Sequence, residues 1–371
     1  MTTTGIQENI PANQGGFALK IVKECALMLG VGIVGALLLF VLQLFHLNLV
    51  VPIGVVLMGV LAYCNGANDV SKAIATLVGS GVTQYRAAIL YGTICTIAGS
   101  SLSAVLAAGL VSTFTKGLIV GSVHLTAQFA LAAVIGSIAW VYLATRLAAP
   151  VSTTHAITGA VVVTGVVAFG FNNVLWANLG SKIVLPLLAS PVIAFALGLI
   201  LFLPIHMLLP NKNLNWVHWL SSGFASFTRG LNDSPKIVAL GSIFFLLGGK
   251  LSSVPIWLFI VVALAMGVGS FVGGFKVTET LAEKVTKMDH EEGFAANLAT
   301  ALLVGIASPL GFPVSTTHVS SCAIIGIGVR KGLNQVRWKT IWEMVLAWII
   351  TIPVAGLLGV IAIFLLRFSL P

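Results

Sequence analysis

Two Asn-Asp pairs and two Ser-Thr-Thr runs are the residues of this chain best suited to chemistry. Asn68 and Asp69 lie in GANDVSK at 66–72, and Asn232 and Asp233 lie in GLNDSPK at 230–236. Both pairs are embedded in apolar sequence, and the whole chain has only ten acidic residues. A carboxylate at membrane depth is costly and usually serves function. The hexapeptide PVSTTH occurs at 150–155 and again at 313–318. Proline is tolerated at a helix start, and a Ser or Thr cap leaves hydroxyls and free backbone N–H groups at the helix end. Such an end attracts anions, because unpaired donors and the positive end of the helix dipole converge there. Placed face to face, Ser152, Thr153 and Thr154 with Ser315, Thr316 and Thr317 would make a cage of hydroxyls and amides suited to a tetrahedral oxyanion. The plainer alternative is that each run only caps its own helix.

The elements that must hold these motifs come in two copies. The motifs are 84 residues apart in the first copy and 83 in the second. A third match pairs FNNVLW at 171–176 with LNQVRW at 333–338, and prolines follow at Pro191 and Pro353. Two halves of about 140 residues within one apolar chain point to a transporter with its site between them. Composition agrees: 58% of residues are hydrophobic, 8% are charged and mean hydropathy is +1.07. Windows with at most one charged residue, such as 25–63, 183–205, 293–329 and 340–366, each hold at least one span of about 20 residues. The expected fold is an all-α polytopic membrane protein with roughly ten to twelve segments. Some of these segments are broken helices and helical hairpins. Residues 1–20 read as a disordered N-terminal lead, 21–210 as the first transmembrane half and 211–371 as the second.

Loop charge suggests that the halves are inverted. GVRKGLNQVRWK carries Arg330, Lys331, Arg337 and Lys339, whereas the equivalent FNNVLWANLGSK carries only Lys182. Positive residues collect on the cytoplasmic side, so unequal charge in equivalent loops fits opposite orientations. The mixed segment 276–292 reads as a short amphipathic surface helix. Gly66 and Gly230 are expected to break their helices and free carbonyls beside the Asn-Asp pairs. A net charge of +9 is accounted for by loops, and no nucleic acid is implied. The four cysteines, Cys25, Cys64, Cys95 and Cys322, have no metal spacing and read as small core residues. No metal or cofactor is expected.

The paired GANDV-type and PVSTTH motifs, with KVTETLAEKVT at 276–286, resemble the inorganic phosphate transporter (PiT) family over residues 50–367. The resemblance implies an inverted-repeat secondary transporter, often a homodimer, that carries phosphate with a sodium ion or a proton. It places the Ser-Thr-Thr runs on phosphate, the Asn-Asp pairs along the cation and substrate sites, and Glu279 near them. The expected location is the lipid bilayer of the plasma (inner) membrane.

The chain departs from the family motif at two places. The last Asn of G-A-N-D-V-A-N is Lys72 in one copy and Lys236 in the other. Lysine supplies donors and positive charge where asparagine supplies a carbonyl oxygen, and at i+3 it reaches the Asp. Both ammonium groups are therefore expected to fill or neutralise the sodium positions, which favours proton coupling over sodium. The second departure is Arg229, where histidine is common. Arginine binds tetrahedral oxyanions bidentately, so Arg229 is a candidate for substrate contact or a gate partner for Asp233. His155 and His318 read as packing residues. Asp69 and Asp233 can accept a hydrogen bond from P–OH and would repel sulfate unless neutralised. Phosphate is favoured, sulfate is the alternative, and arsenate should follow phosphate. A passive anion channel is a distant alternative. Near-identical half-sites give no acid–base asymmetry, so an enzyme is not expected.

Overall fold

A computed structural model describes residues 50–208, 215–247 and 254–367. The expected N-terminal lead, Cys25 and the boundary between the halves near residue 210 lie outside these residues. The described residues are helical almost throughout, with one isolated antiparallel bridge, Ile119 to Val174.

The first half contains α1 (Val50–Asp69), α2 (Ser71–Gly79), α3 (Tyr85–Leu106), α4 (Ala108–Lys116), α5 (Ala127–Arg146), α6 (Thr153–Phe169) and α7 (Trp176–Leu208). The second contains α8 (Asn215–Leu247), α9 (Ile256–Gly273), α10 (Phe275–Glu283), α11 (His290–Ala307), α12 (Thr316–Lys331) and α13 (Trp338–Arg367). Among the described residues, six helices are long and apolar enough to cross a membrane, and Thr153–Phe169 is a shorter apolar helix. Large apolar side chains such as Leu188, Val192, Ile200 and Leu203 on α7 stay exposed, as a lipid-facing surface requires.

The elements repeat in order and in detail. Each half has one run carrying the Asn-Asp pair, a helix followed at once by a short one, a hairpin (α5–α6 or α11–α12) and a long closing helix with an internal proline. Before each closing helix, a glycine with positive φ (Gly170 at 93°, Gly332 at 132°) opens a 3-10 turn. That turn is pinned by a tryptophan indole: Trp176 donates to the Phe171 carbonyl at 2.9 Å and Trp338 to the Leu333 carbonyl at 2.8 Å.

The halves interlock. α1 packs on α9 and α8 on α3, while α7 covers the second hairpin and α13 covers the first. Equivalent helices also run antiparallel. Gly54 at the start of α1 abuts Phe244 near the end of α8, Met58 abuts Gly241, and Thr76 on α2 bonds His218 at the start of α8. This is the relation an inverted repeat requires.

Gly66 and Gly230 do not break their helices. Both lie inside continuous helix, and α1 passes into α2 through Val70, which keeps helical φ and ψ. Their role is close approach. A Cβ on Gly66 would sit 2.0 Å from the Met266 carbonyl oxygen, and one on Gly230 would sit 2.4 Å from that of Thr96. Gly66→Val should therefore cost at least about 1–3 kcal/mol by overpacking against backbone that cannot yield. A shift in thermal unfolding of the purified protein checks this, and Gly59→Val, where space is open, should be silent.

The 276–292 segment is not one helix: its first part belongs to α10, with Val277, Thr278, Leu281 and Ala282 buried and Lys276 exposed, residues 284–289 are non-helical, and His290 starts α11. Its Thr280 hydroxyl bonds the Ala148 carbonyl in the first hairpin loop at 3.0 Å. Of the described cysteines, Cys64 is buried and Cys95 and Cys322 are half-buried.

Candidate functional site

The hairpin tips form as the PVSTTH pattern dictates. Ser152 and Ser315 are N-caps with extended backbone, and each hydroxyl accepts from the N–H of the histidine three residues on, at 3.2 Å in both copies. The helices α6 and α12 thus begin inside the protein, with Thr153, Thr154, Thr316 and Thr317 in their first turns.

The two tips meet across the interface between the halves. Thr317 donates to the Val151 carbonyl at 2.6 Å, and Thr154 lies 3.4 Å from the Val314 carbonyl. The Asn-Asp pairs lie beside them. Asn68 donates to Thr145 Oγ1 at 2.9 Å and to the Ala149 carbonyl at 3.0 Å. Asn232 donates to the Val314 carbonyl at 3.0 Å, and Ser308, the counterpart of Thr145, donates to its Oδ1 at 3.4 Å. Each asparagine thus ties a helix to its own half's hairpin loop.

Both lysines point inward. Lys72 Nζ is held by the Asp69 carboxylate, by Asn68 Oδ1 at 3.2 Å and by the Val151 carbonyl at 3.0 Å. Lys236 Nζ is held by Asp233 Oδ1 at 3.2 Å, the Val314 carbonyl at 3.0 Å and Thr154 Oγ1 at 2.6 Å. Each ammonium therefore fills a nest of three oxygens, a set that a small cation would also accept.

Arg229 completes the cluster. It is almost fully buried, donates from Nη2 to Thr96 Oγ1 at 3.1 Å, and lies 3.5 Å from Ser270 Oγ. Its Nε and Nη1 have no partner among the described residues. Arg229, Lys72 and Lys236 face Asp69 and Asp233, which leaves a formal excess of one positive charge. Every residue of the cluster is at most 3% exposed.

The structure thus gathers Asn68, Asp69, Lys72, Thr153, Thr154, Arg229, Asn232, Asp233, Lys236, Thr316 and Thr317, with Ser152 and Ser315 as the caps behind them. It leaves Glu279 out: this residue is half-buried on α10, close to Tyr85, and makes no hydrogen bond or ion pair with the cluster. The imidazoles lie just behind the tips. His155 Nδ1 is 2.8 Å from Ser152 Oγ, the His155 and His318 rings are 4.6 Å apart, and His318 packs on Trp348 at 4.2 Å.

Sequence reasoning did not place Asn65 in the site. Its amide lies 3.0 Å from Thr153 Oγ1 and 3.3 Å from both Asp69 Oδ2 and Asp233 Oδ2, so one side chain bridges the halves. The available signal was its alignment with Arg229. Ser270, which also donates to the Gly66 carbonyl at 3.2 Å, was missed too, although the Gly-Ser doublet at 269–270 repeats at 99–100.

A helical multi-pass bundle, with paired hairpin tips and buried charge at the interface between repeated halves, is a membrane transport protein in class. The chain belongs to the phosphate transporter family, whose model matches it twice, at residues 65–216 and 209–359. It is 32% identical to the "Probable low-affinity inorganic phosphate transporter" of Bacillus subtilis (strain 168) over 82% of this chain and 93% of the relative. A protein of the same description from Rhizobium meliloti (strain 1021) is 31% identical over 81% and 92%. A solved structure titled "The sodium-dependent phosphate transporter" superposes with a TM-score of 0.76 at 25% identity, covering 86% of this chain and 100% of that one.

Proposed function

We propose that this phosphate transporter works by alternating access at the interface between the halves and is driven by protons rather than sodium. The observation that carries the coupling is the position of the two ammonium groups. Each Lys Nζ occupies an oxygen nest built from an Asp, a hairpin carbonyl and an Asn or Thr oxygen, where a coupling cation would otherwise be held. A fixed ammonium keeps the local charge and removes the need for a metal ion.

The substrate enters the same cluster. Thr153, Thr154, Thr316, Thr317, Asn68, Asn232 and Arg229 supply hydroxyl, amide and guanidinium donors, with Ser152 and Ser315 holding the helix starts. One excess positive charge matches the monoanion H2PO4−, whose P–OH groups can donate to Asp69 or Asp233. Sulfate brings two negative charges and no proton, and would leave a buried net charge. Arsenate shares the shape and charge of phosphate and should compete.

The tip-to-tip bonds of Thr154 and Thr317 close the site from both sides. Since α7 covers the second hairpin and α13 the first, the described helices of the two halves are interlocked, and the natural moving unit is a hairpin with its exchanged closing helix. Rocking these units would break one set of tip contacts at a time. The apolar outer faces suit the plasma (inner) membrane and a homodimer within it.

Sodium coupling is the second reading, favoured by similarity to a solved transporter titled as sodium-dependent. The test is uptake of radiolabelled phosphate into proteoliposomes under an inward proton gradient, with and without sodium and excess sulfate. Proton-driven uptake that ignores sodium and resists sulfate is the expected outcome. Collapse of uptake on sodium removal at constant pH and voltage would overturn the coupling assignment. Block by sulfate would overturn the substrate preference.

A further inference from the structure

The two halves match closely at the central cluster but differ along the seam that leads away from it. On one side, α2, α8 and α11 bring together Thr76, His218, Ser222, His290 and Asn297. The repeat-equivalent positions are Leu240, Gly54, Met58, Ala127 and Val134, which bear no polar side-chain group. Met58, Val134 and Leu240 belong to one continuous apolar core. One seam is polar and its counterpart is sealed with hydrocarbon.

Several atoms of the polar seam lack partners among the described residues. His218 is fully buried; one ring nitrogen, Nε2, lies 3.1 Å from Thr76 Oγ1, and the other, Nδ1, has no partner. Asn297 is 1% exposed and neither its oxygen nor its nitrogen is bonded. His290 Nδ1 is likewise unpartnered. Such groups are costly within a bilayer unless they conduct protons or bind water.

The seam runs from the cluster to one face of the protein. Thr76 follows Lys72 by one turn of α2, and Ser222 bonds the Ala73 carbonyl at 2.8 Å. Ala301, one turn beyond Asn297, packs with Ala73 and Ala225. Toward the face, Gly293 abuts the His218 ring, where a Cβ would sit 2.4 Å from its Cε1, and His290 lies one turn before Gly293. His290 begins α11 beside a positively charged surface. There Lys331 bonds Glu292 and the Lys287 carbonyl at 3.0 Å, and Arg337 bonds the Glu283 carbonyl at 2.9 Å. By the positive-inside rule this is the cytoplasmic face.

We propose that His218 and His290 form a proton relay between the central cluster and this cytoplasmic face. A proton received at His218 Nε2 through Thr76 is matched by loss of one from Nδ1 toward His290, which passes it to water at the start of α11. Asn297, able to donate and accept, lines the path. The relay contains one bond made and one broken at each imidazole, with no other reactant. Of the elements packed around His218, α11 presents His290 and α2 presents Thr76. From α3, Tyr91 packs edge-on against Trp219 at 4.8 Å. Among the described residues, His290 is the charge-bearing group found to act on His218. The missing counterpart in the first half makes the relay one-sided, as a release route on a single face requires.

The relay deepens the proton-coupled reading and rests on it. The test uses the full chain in proteoliposomes loaded with a pH-sensitive dye, with radiolabelled phosphate outside. The wild type should acidify the lumen by more than the entering H2PO4− itself releases. His218→Gln and His290→Gln should each lower proton-driven uptake by about a hundredfold, the low end of what a positioned proton-transfer group contributes. Phosphate–phosphate exchange at equal pH, which moves no net proton, should stay at the wild-type level and certify the fold. Unchanged acidification in both variants would overturn the relay alone. Loss of exchange together with uptake would also overturn it, by assigning these residues to folding. A wild type that takes up phosphate with sodium and moves no protons beyond those of H2PO4− would overturn the coupling itself, and the relay with it.

Discussion

Lys72→Met in an otherwise unchanged chain is expected to lower stability by about 3–5 kcal/mol, the usual cost of stripping one partner from a buried ion pair. Asp69 would remain at 1% exposure, with hydrogen bonds from Asn65 and Thr316, each at 3.3 Å, and the charge of Arg229 left to hold it. Adding Asp69→Asn to Lys72→Met should recover most of that loss, because both buried charges are then gone. Unfolding of the detergent-solubilised protein, followed by tryptophan fluorescence, gives the double-mutant cycle. Additive single effects would show that the two side chains are not coupled, contrary to the geometry. The same cycle at Lys236 and Asp233 should behave alike. Transport should be lost in all of these variants, the stable double ones included, which separates folding from function.

Lys72→Asn combined with Lys236→Asn is expected to create sodium dependence. Each nest already offers three oxygens to an ammonium, and an asparagine carbonyl in place of Nζ would add a fourth. Hard cations such as sodium prefer oxygen ligands, and a carboxylate in each nest supplies charge. Phosphate uptake by the double variant should rise at least about tenfold when sodium replaces choline, equivalent to about 1.4 kcal/mol of cation binding. A double variant that remains indifferent to sodium would show that the lysines do not stand in cation positions.

Much of the site was legible in the sequence, because its parts are encoded twice. A hexapeptide that repeats at nearly constant distance from an Asn-Asp pair marks two equivalent helix starts, and the caps at Ser152 and Ser315 formed where proline and serine place them. The lysines were readable as partners of the aspartates from their i+3 spacing. The glycines were misread: Gly66 and Gly230 were expected to open their helices, yet they serve as contact points for the backbones of α9 and α3. A glycine's sequence context does not tell whether its missing Cβ is needed for a break or for a neighbour. Asn65 escaped notice for a related reason, since its value depends on reaching Asp233, 168 residues away.

By itself the sequence determined that the chain is apolar, duplicated and built to hold paired carboxylates, lysines and hydroxyl-rich helix starts within a membrane. Those are matters of residue type, period and repetition, which are local and survive without coordinates. Only the tertiary structure decided that Thr317 reaches Val151, that α7 and α13 exchange partners, and that Glu279 stays outside the cluster. It also revealed that one seam of the pseudo-symmetric pair is polar while the other is sealed. Such facts depend on which helices are neighbours across the interface between the halves, and that arrangement is set by the packing of glycine faces and hairpin tips from distant parts of the chain.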